Sequence, residues 1–301
     1  MVSKEEFNRY LDELMINDKG NKNLKHLTRR RFLTSEGYGR GAFLVAFLGL
    51  CCIVEPGLLL VGLGILGVSA LLITLALIRI TKTSNAEKHY VKYQSKIVEY
   101  LLKDFDYKLE RYATVDQQVF LDSQFVGSSV TGYRGEDKLS INIPSDKGDY
   151  NLIFSDVVSF KEKQMFKGIF GYIELPHSFK CVLCINSTYE KEGLVFEPVE
   201  LEDMEFNEKF NVLSDNQIEA RYILTPDVMD VLLNLQEKVG RFKVAFADNR
   251  VYFGFVNMQL FKVDFVKGEE AASMFSGFYE PVRACMDVLN EVKKNKKIFK
   301  I

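Results

Sequence analysis

Residues 152–175 read LIFSDVVSFKEKQMFKGIFGYIEL, a stretch rich in β-branched and aromatic side chains, the composition that suits a pleated, half-buried surface. It reads as two strands, Leu152–Phe160 and Met165–Leu175. Working outward, Val130–Tyr133 and Leu139–Ile143 flank Gly135-Glu136-Asp137 in the pattern of a hairpin, and Phe179–Ile185 reads as a further strand. Phe242–Phe246 and Val251–Phe255 flank Asp248-Asn249, a dipeptide suited to a hairpin turn. Between these runs, Thr225 is placed to cap a helix with Pro226 in its first turn, and Gly240 ends it after Val228, Leu232, Leu235 and Val239. A last helix, from about Pro281 to Lys294, sets Val282, Cys285, Met286, Leu289 and Val292 on one face. The sum is an α+β domain over 129–301, mostly antiparallel sheet with flanking helices. The acidic, weakly patterned stretch Asn186–Asp203 is expected to be a loop where two subdomains meet, near 186–205.

Upstream the pattern changes. Ser3 and Glu6 have capping-box spacing, and Phe7, Leu11, Leu14 and Met15 recur at helical intervals, so an amphipathic helix opens the basic segment 1–40. Ala42–Ile78 is almost unbroken apolar sequence, interrupted by Glu55-Pro56-Gly57. As one helix it would run to roughly 55 Å, nearly twice the ~30 Å hydrocarbon core of a bilayer. The expectation is therefore a two-helix transmembrane hairpin over 41–81, with its turn at Glu55, Pro56 and Gly57. The short first segment either spans or is re-entrant. Residues 82–128 form a juxtamembrane helical region, in which Tyr90, Ile97, Leu101 and Phe105 continue the 3.6-residue period of the second helix.

Basic residues flank the hairpin on both sides, from Lys22 to Arg40 and from Arg79 to Lys96, while its tip carries only Glu55. By the positive-inside rule both termini are expected to be cytoplasmic, at the bacterial inner membrane. Gly62, Gly64 and Gly67 match GxGxxG, but no strand precedes them. With Ser69 and Ala70 they form a small-residue face on which helices or neighbouring subunits could pack, which leaves homo-oligomerisation open.

The 301 residues carry a formal net charge of -2. Without the basic flanks the remainder is mildly acidic, which argues against nucleic acid as a partner. The five cysteines form no disulfide framework. Cys181 and Cys184 make a lone CxxC with apolar filling, read as strand and core, and the three histidines, His26, His89 and His177, lie far apart. No Walker loop, GxSxG or HExxH occurs, and Glu136-Asp137 and Glu202-Asp203 read as solvated turns. No catalytic, cofactor-binding or metal-ligating residue is therefore assigned. Phe166, Phe170 and Tyr172, with Phe206 and Phe210, concentrate aromatics either in the core or in a groove for a protein partner.

The motifs Tyr133-Arg134-Gly135-Glu136-Asp137, Phe166-Lys167-Gly168-Ile169-Phe170, the Phe206/Phe210 pair and Glu219-Ala220-Arg221-Tyr222-Ile223-Leu224-Thr225-Pro226 resemble an uncharacterised bacterial membrane family. It is catalogued as a domain of unknown function, thirty-one thirty-seven, and sometimes labelled galanin-like. The resemblance covers most of the chain and carries no catalytic set. It implies a membrane-anchored cytoplasmic domain, sometimes neighbouring LemA-type proteins in a membrane assembly. The leading expectation for function is a membrane-anchored interaction or scaffold protein with the lipid bilayer and a protein as partners. A membrane-associated enzyme with an unrecognised site is the alternative, followed by a small oligomeric channel or transporter component.

Overall fold

A computed structural model of the chain describes residues 1–16, 59–126, 130–144, 150–162, 164–187, 196–261 and 273–294. The 152–175 stretch forms two neighbouring strands, β3 (Tyr150–Phe160) and β4 (Gln164–Glu174), paired antiparallel as the alternation of their side chains requires. Around them stand β1 (Asp106–Glu110), β2 (Gly132–Ile143), β5 (Leu183–Asn186), β6 (Glu197–Pro198), β7 (Asn211–Ser214), β8 (Phe242–Ala247) and β9 (Arg250–Val256). They make one nine-stranded sheet in the order β1-β2-β3-β4-β9-β8-β5-β7-β6. Each neighbouring pair is antiparallel.

The β8–β9 hairpin turns at Asp248, whose φ of 51° is a left-handed conformation that Asp tolerates. Gly135-Glu136-Asp137, by contrast, does not make the expected hairpin. The apolar runs on either side of it both pair with β3, so β2 is a single strand with a register shift between Glu136 and Leu139. Asp137 absorbs the extra residue at φ 58°, and its N–H donates to the Arg111 carbonyl. The strand expected over Phe179–Ile185 is confined to Leu183–Asn186. Residues 188–195 of the expected loop lie outside the described residues, while Glu197-Pro198 beyond them pairs with β7.

Period-2 alternation gives the sheet two apolar faces. One presents Phe166, Phe170, Tyr172, Cys184, Ala245 and Tyr252, all buried. The segment 111–126 lies over it, including helix α3 (Gln117–Asp122), which is capped by the Asp116 carboxylate. The Phe120 ring centroid is 4.9 Å from Phe170, 5.3 Å from Tyr133 and 5.6 Å from Phe166, and the Phe125 ring stands edge-on to Phe170 at 5.8 Å. Polar contacts pin both ends of this strap. Ser155 Oγ accepts the Val115 N–H at 3.0 Å, the Tyr133 hydroxyl donates to the Val115 carbonyl at 2.8 Å, and Lys243 Nζ donates to the Phe125 carbonyl at 2.8 Å. The other face buries Phe154, Ile169, Phe253 and Phe255. A C-terminal helix, Tyr279–Lys294, contacts β4 and buries its expected stripe of Val282, Cys285, Met286, Leu289 and Val292. The expected helix runs over Pro226–Val239 with Pro226 in its first turn and Gly240 at its end, while Thr225 occupies the N-cap position without a side-chain capping hydrogen bond.

The chain divides into two units. One comprises 1–3, 101–263 and 277–301 and holds the sheet; the other comprises 4–100 and 264–276. Within the second unit, helix α1 (Lys4–Ile16) buries Phe7, Leu11 and Met15 and stacks Tyr10 on Tyr100 with centroids 3.8 Å apart. Its companion, α2, is a single helix over Leu59–Leu101 that buries Tyr93, Ile97 and Val98.

The expected transmembrane hairpin is corrected at this point. Among the described residues no helix is long and apolar enough to cross a membrane. In α2 the apolar stretch is one part of a longer helix, as the 3.6-residue period of the following segment leads one to expect. The same helix continues through Lys88, Lys92, Lys96 and Glu99, all exposed. The first expected segment, Gly41–Val54, and the turn at Glu55, Pro56 and Gly57 lie outside the described residues. The fold class is accordingly an α+β domain with a large antiparallel sheet, without support for a membrane hairpin. Assignment as an integral inner-membrane protein with both termini cytoplasmic falls with it.

Packing is tight at Gly171 in β4, where an added Cβ would lie 2.5 Å from Phe154 Cβ and 2.5 Å from Phe253 Cζ. Gly171→Ala should therefore lower stability by about 1–3 kcal/mol through overpacking. Urea unfolding of variant and parent checks this, and an unchanged midpoint would contradict the packing described.

Candidate interaction surface

At the β6 edge of the sheet the chain folds back as helix α4 (Met204–Lys209), β7 and helix α5 (Gln217–Ile223). Local polar residues dictate these turns. Asp203 caps α4 by accepting the Phe206 N–H at 3.0 Å, and Asn207 closes the turn with Leu201, donating to its carbonyl at 2.7 Å. Asn216 caps α5, its side-chain oxygen accepting from Ile218 N and Glu219 N at 3.2 Å each. Two side chains then tie α5 to the extended segment from which α4 starts: Gln217 Nε2 donates to the Pro198 carbonyl at 3.0 Å and Arg221 Nη2 to the Glu200 carbonyl at 3.2 Å.

The helices bury Phe206, Phe210, Ala220 and Ile223, with the Phe206 and Phe210 rings 4.5 Å apart and Phe210 edge-on to Phe242 at 5.7 Å. Their outer sides are unusual. Met204 is 78% exposed, Ile218 80% and Tyr222 62%. Ile218 and Tyr222 are spaced i, i+4 and so share one face of α5. A single exposed apolar residue needs no explanation, whereas several large ones on one short folded segment mark a contact surface.

The aromatics singled out from the sequence fall into two places. Phe166, Phe170 and Tyr172 belong to the core under the 111–126 strap, while Phe206 and Phe210 belong to the packing beneath α4; all five are buried. The exposed trio was missed because Ile218 and Tyr222 sit among residues of ordinary amphipathic spacing. The i, i+4 pair opposite Ala220 and Ile223 was the available signal.

The remaining chemistry-bearing residues are dispersed. Cys181, Cys184 and Cys285 are buried free thiols. Burial pushes Cys181 up to about 11 and Cys184 up to about 12, which suppresses the nucleophilic thiolate. His26 lies outside the described residues, His89 is on α2, and His177 packs edge-on to Phe179. Gly62, Gly64 and Gly67 fall within α2 rather than at a strand-to-helix turn. Among the described residues no group of three or more His, Cys, Asp or Glu side chains could hold a metal ion.

Two polar groups were not singled out from the sequence. Arg250 pairs with Glu174 at 2.9 Å and lies 5.1 Å over the Tyr172 ring, closing the end of the β4–β9 ladder. Asp156, on β3, accepts the Leu260 N–H at 3.0 Å. Its burial, reinforced by Asp137 and Glu136, raises its pKa to about 7 against the pull of the Leu260 hydrogen bond. A lone Asp inside an apolar strand run was the signal.

Because Asp156 holds its proton up to about pH 7 when folded and only to about 3.8 otherwise, the native state binds more protons between those values. Stability from this group therefore falls as pH rises through that window, by at most about 1.4 kcal/mol per pH unit. The stability of the parent relative to Asp156→Asn, followed by urea unfolding from pH 4.5 to 7.5, should decline steadily. A pH-independent difference would refute the assignment.

The comparisons with known proteins are sparse. No curated protein matches the chain. Among solved structures, the crystal structure of the mycobacterial trehalose monomycolate transport factor A, TtfA, aligns at a TM-score of 0.38 with 10% identity, covering 65% of this chain and 92% of that one. That likeness is too distant to fix fold or function. Residues 164–294 match the family described as "Protein of unknown function (DUF3137)", so the family resemblance carried by the sequence motifs holds over that segment.

Proposed function

We propose that the sheet-bearing unit is a protein-interaction or scaffold module that holds its partner on the outer face of α5. The observation that carries this is the exposure of Ile218 and Tyr222 on one helical face, with Met204 on the adjacent segment, in a unit whose other large aromatics are almost all internal. An i, i+4 pair of exposed apolar side chains on a helix is a recurrent anchor for protein recognition.

Recognition by strand addition is less favoured by the sheet itself. The β6 edge has only two residues, one of them Pro198, which lacks an N–H donor. The β1 edge carries charged side chains, with Lys108 and Glu110 paired at 3.0 Å. Both are devices that blunt an edge against further pairing. The buried thiols do not favour an enzymatic reading, and the carboxylates of Asp203, Glu174 and Asp156 serve a helix cap, an ion pair and the Leu260 contact.

Purification of the full chain under native conditions, followed by mass spectrometry, should recover one protein in fixed ratio. Ile218→Ser combined with Tyr222→Ser should abolish that ratio, since each anchor is worth about 1–3 kcal/mol at such a face. At surface positions the same changes should leave the unfolding midpoint within about 0.5 kcal/mol of the parent. Retention of the partner by the folded double variant would overturn the proposal.

A further inference from the structure

Resting on that reading, we infer that the partner presents a basic amphipathic helix, its apolar side seated on Ile218 and Tyr222 and its Lys or Arg residues facing the surrounding carboxylates. The exposed apolar face gives the location, and the charge around it gives the chemistry. Between Glu197 and Ile223 the sequence holds eight acidic side chains against two basic ones. Glu200, Glu202, Glu205 and Glu208 are exposed.

Both basic groups are already engaged within the surface. Lys209 Nζ pairs with Glu205 at 2.7 Å, and the Arg221 guanidinium donates to the Glu200 carbonyl at 3.2 Å. Even with both cations counted, the segment keeps six negative charges in excess, so its field is negative. It repels nucleic acid and anionic lipid and raises the encounter rate with a cationic protein segment. A purely apolar partner would desolvate Glu200 and Glu202 at its rim without compensation, whereas one bearing Lys or Arg one turn from its apolar stripe pairs with them in water-accessible geometry.

The test uses the full chain and three fluorescein-labelled helical peptides of equal length, patterned from leucine with lysine, leucine with glutamine, or leucine with glutamate. Fluorescence anisotropy should show the lysine peptide binding about tenfold or more tighter than the glutamine peptide, and the glutamate peptide weakest. The preference should shrink between 0.1 and 1 M salt as the Debye length falls from about 10 Å to about 3 Å. Glu200→Gln combined with Glu202→Gln should weaken the lysine peptide about fivefold with no change in unfolding midpoint. Ile218→Ser combined with Tyr222→Ser should weaken all three peptides. Absent binding of the lysine peptide, or binding no tighter than that of the glutamine peptide, overturns the basic-partner inference. The interaction reading is decided separately, by partner capture with the Ile218/Tyr222 variant.

Discussion

The sheet-bearing unit depends on one constraint: a twisted antiparallel sheet with two apolar faces must have both covered. The C-terminal helix helps to cover one. The other is closed by the short 111–126 segment, where Phe120 and Phe125 stand against the Phe166, Phe170 and Tyr252 layer. Apolar burial is nondirectional and would not fix the register of so short a strap. Its polar pins do: Ser155 and Tyr133 hold Val115, and Lys243 reaches the Phe125 carbonyl from the sheet. An ammonium buried at this point is costly unless hydrogen-bonded, so its presence at a strap terminus specifies where the strap must lie.

That closure has a consequence for function. With the two faces taken up by packing and the β6 edge shortened to Glu197-Pro198, the sheet itself offers little for recognition. What remains is the helical excursion at its β6 end, where Asp203 and Asn216 cap the short helices α4 and α5. Capping matters because an interaction face already held in its helical conformation loses less conformational entropy on binding.

Much of this was legible in the sequence wherever local chemistry decides the structure. The β8–β9 hairpin follows from Asp248-Asn249 between apolar runs, the Pro226–Val239 helix from Thr225, Pro226 and Gly240, and the last helix from its stripe. Legibility failed where long-range pairing overrides local signals. Gly135-Glu136-Asp137 has the composition of a turn, yet becomes a bulge because both flanking runs can pair with β3. The membrane hairpin was inferred from the apolar run, its Glu55-Pro56-Gly57 break and its basic flanks; the continuation of the second helix into the charged stretch was legible in the 3.6-residue period and appears as α2, but no helix among the described residues is long and apolar enough to cross a membrane. The aromatic cluster was legible as core or groove, but a strap from 111–126 over Phe166 and Phe170 is not written in either segment. Ile218 and Tyr222 escaped notice for the opposite reason: their meaning lies in what fails to cover them.

The central claim is that the outer face of α5 is the contact surface, and site-specific photocrosslinking tests it most directly. A photoreactive phenylalanine analogue placed at Tyr222 in the full chain should give, on illumination in cells, one discrete protein adduct. The same analogue at Tyr112, which is 87% exposed but lies away from α4 and α5 in the sequence of the unit, should not give it. A discrete adduct from Tyr112 with none from Tyr222, or the same adducts from both, would contradict the claim.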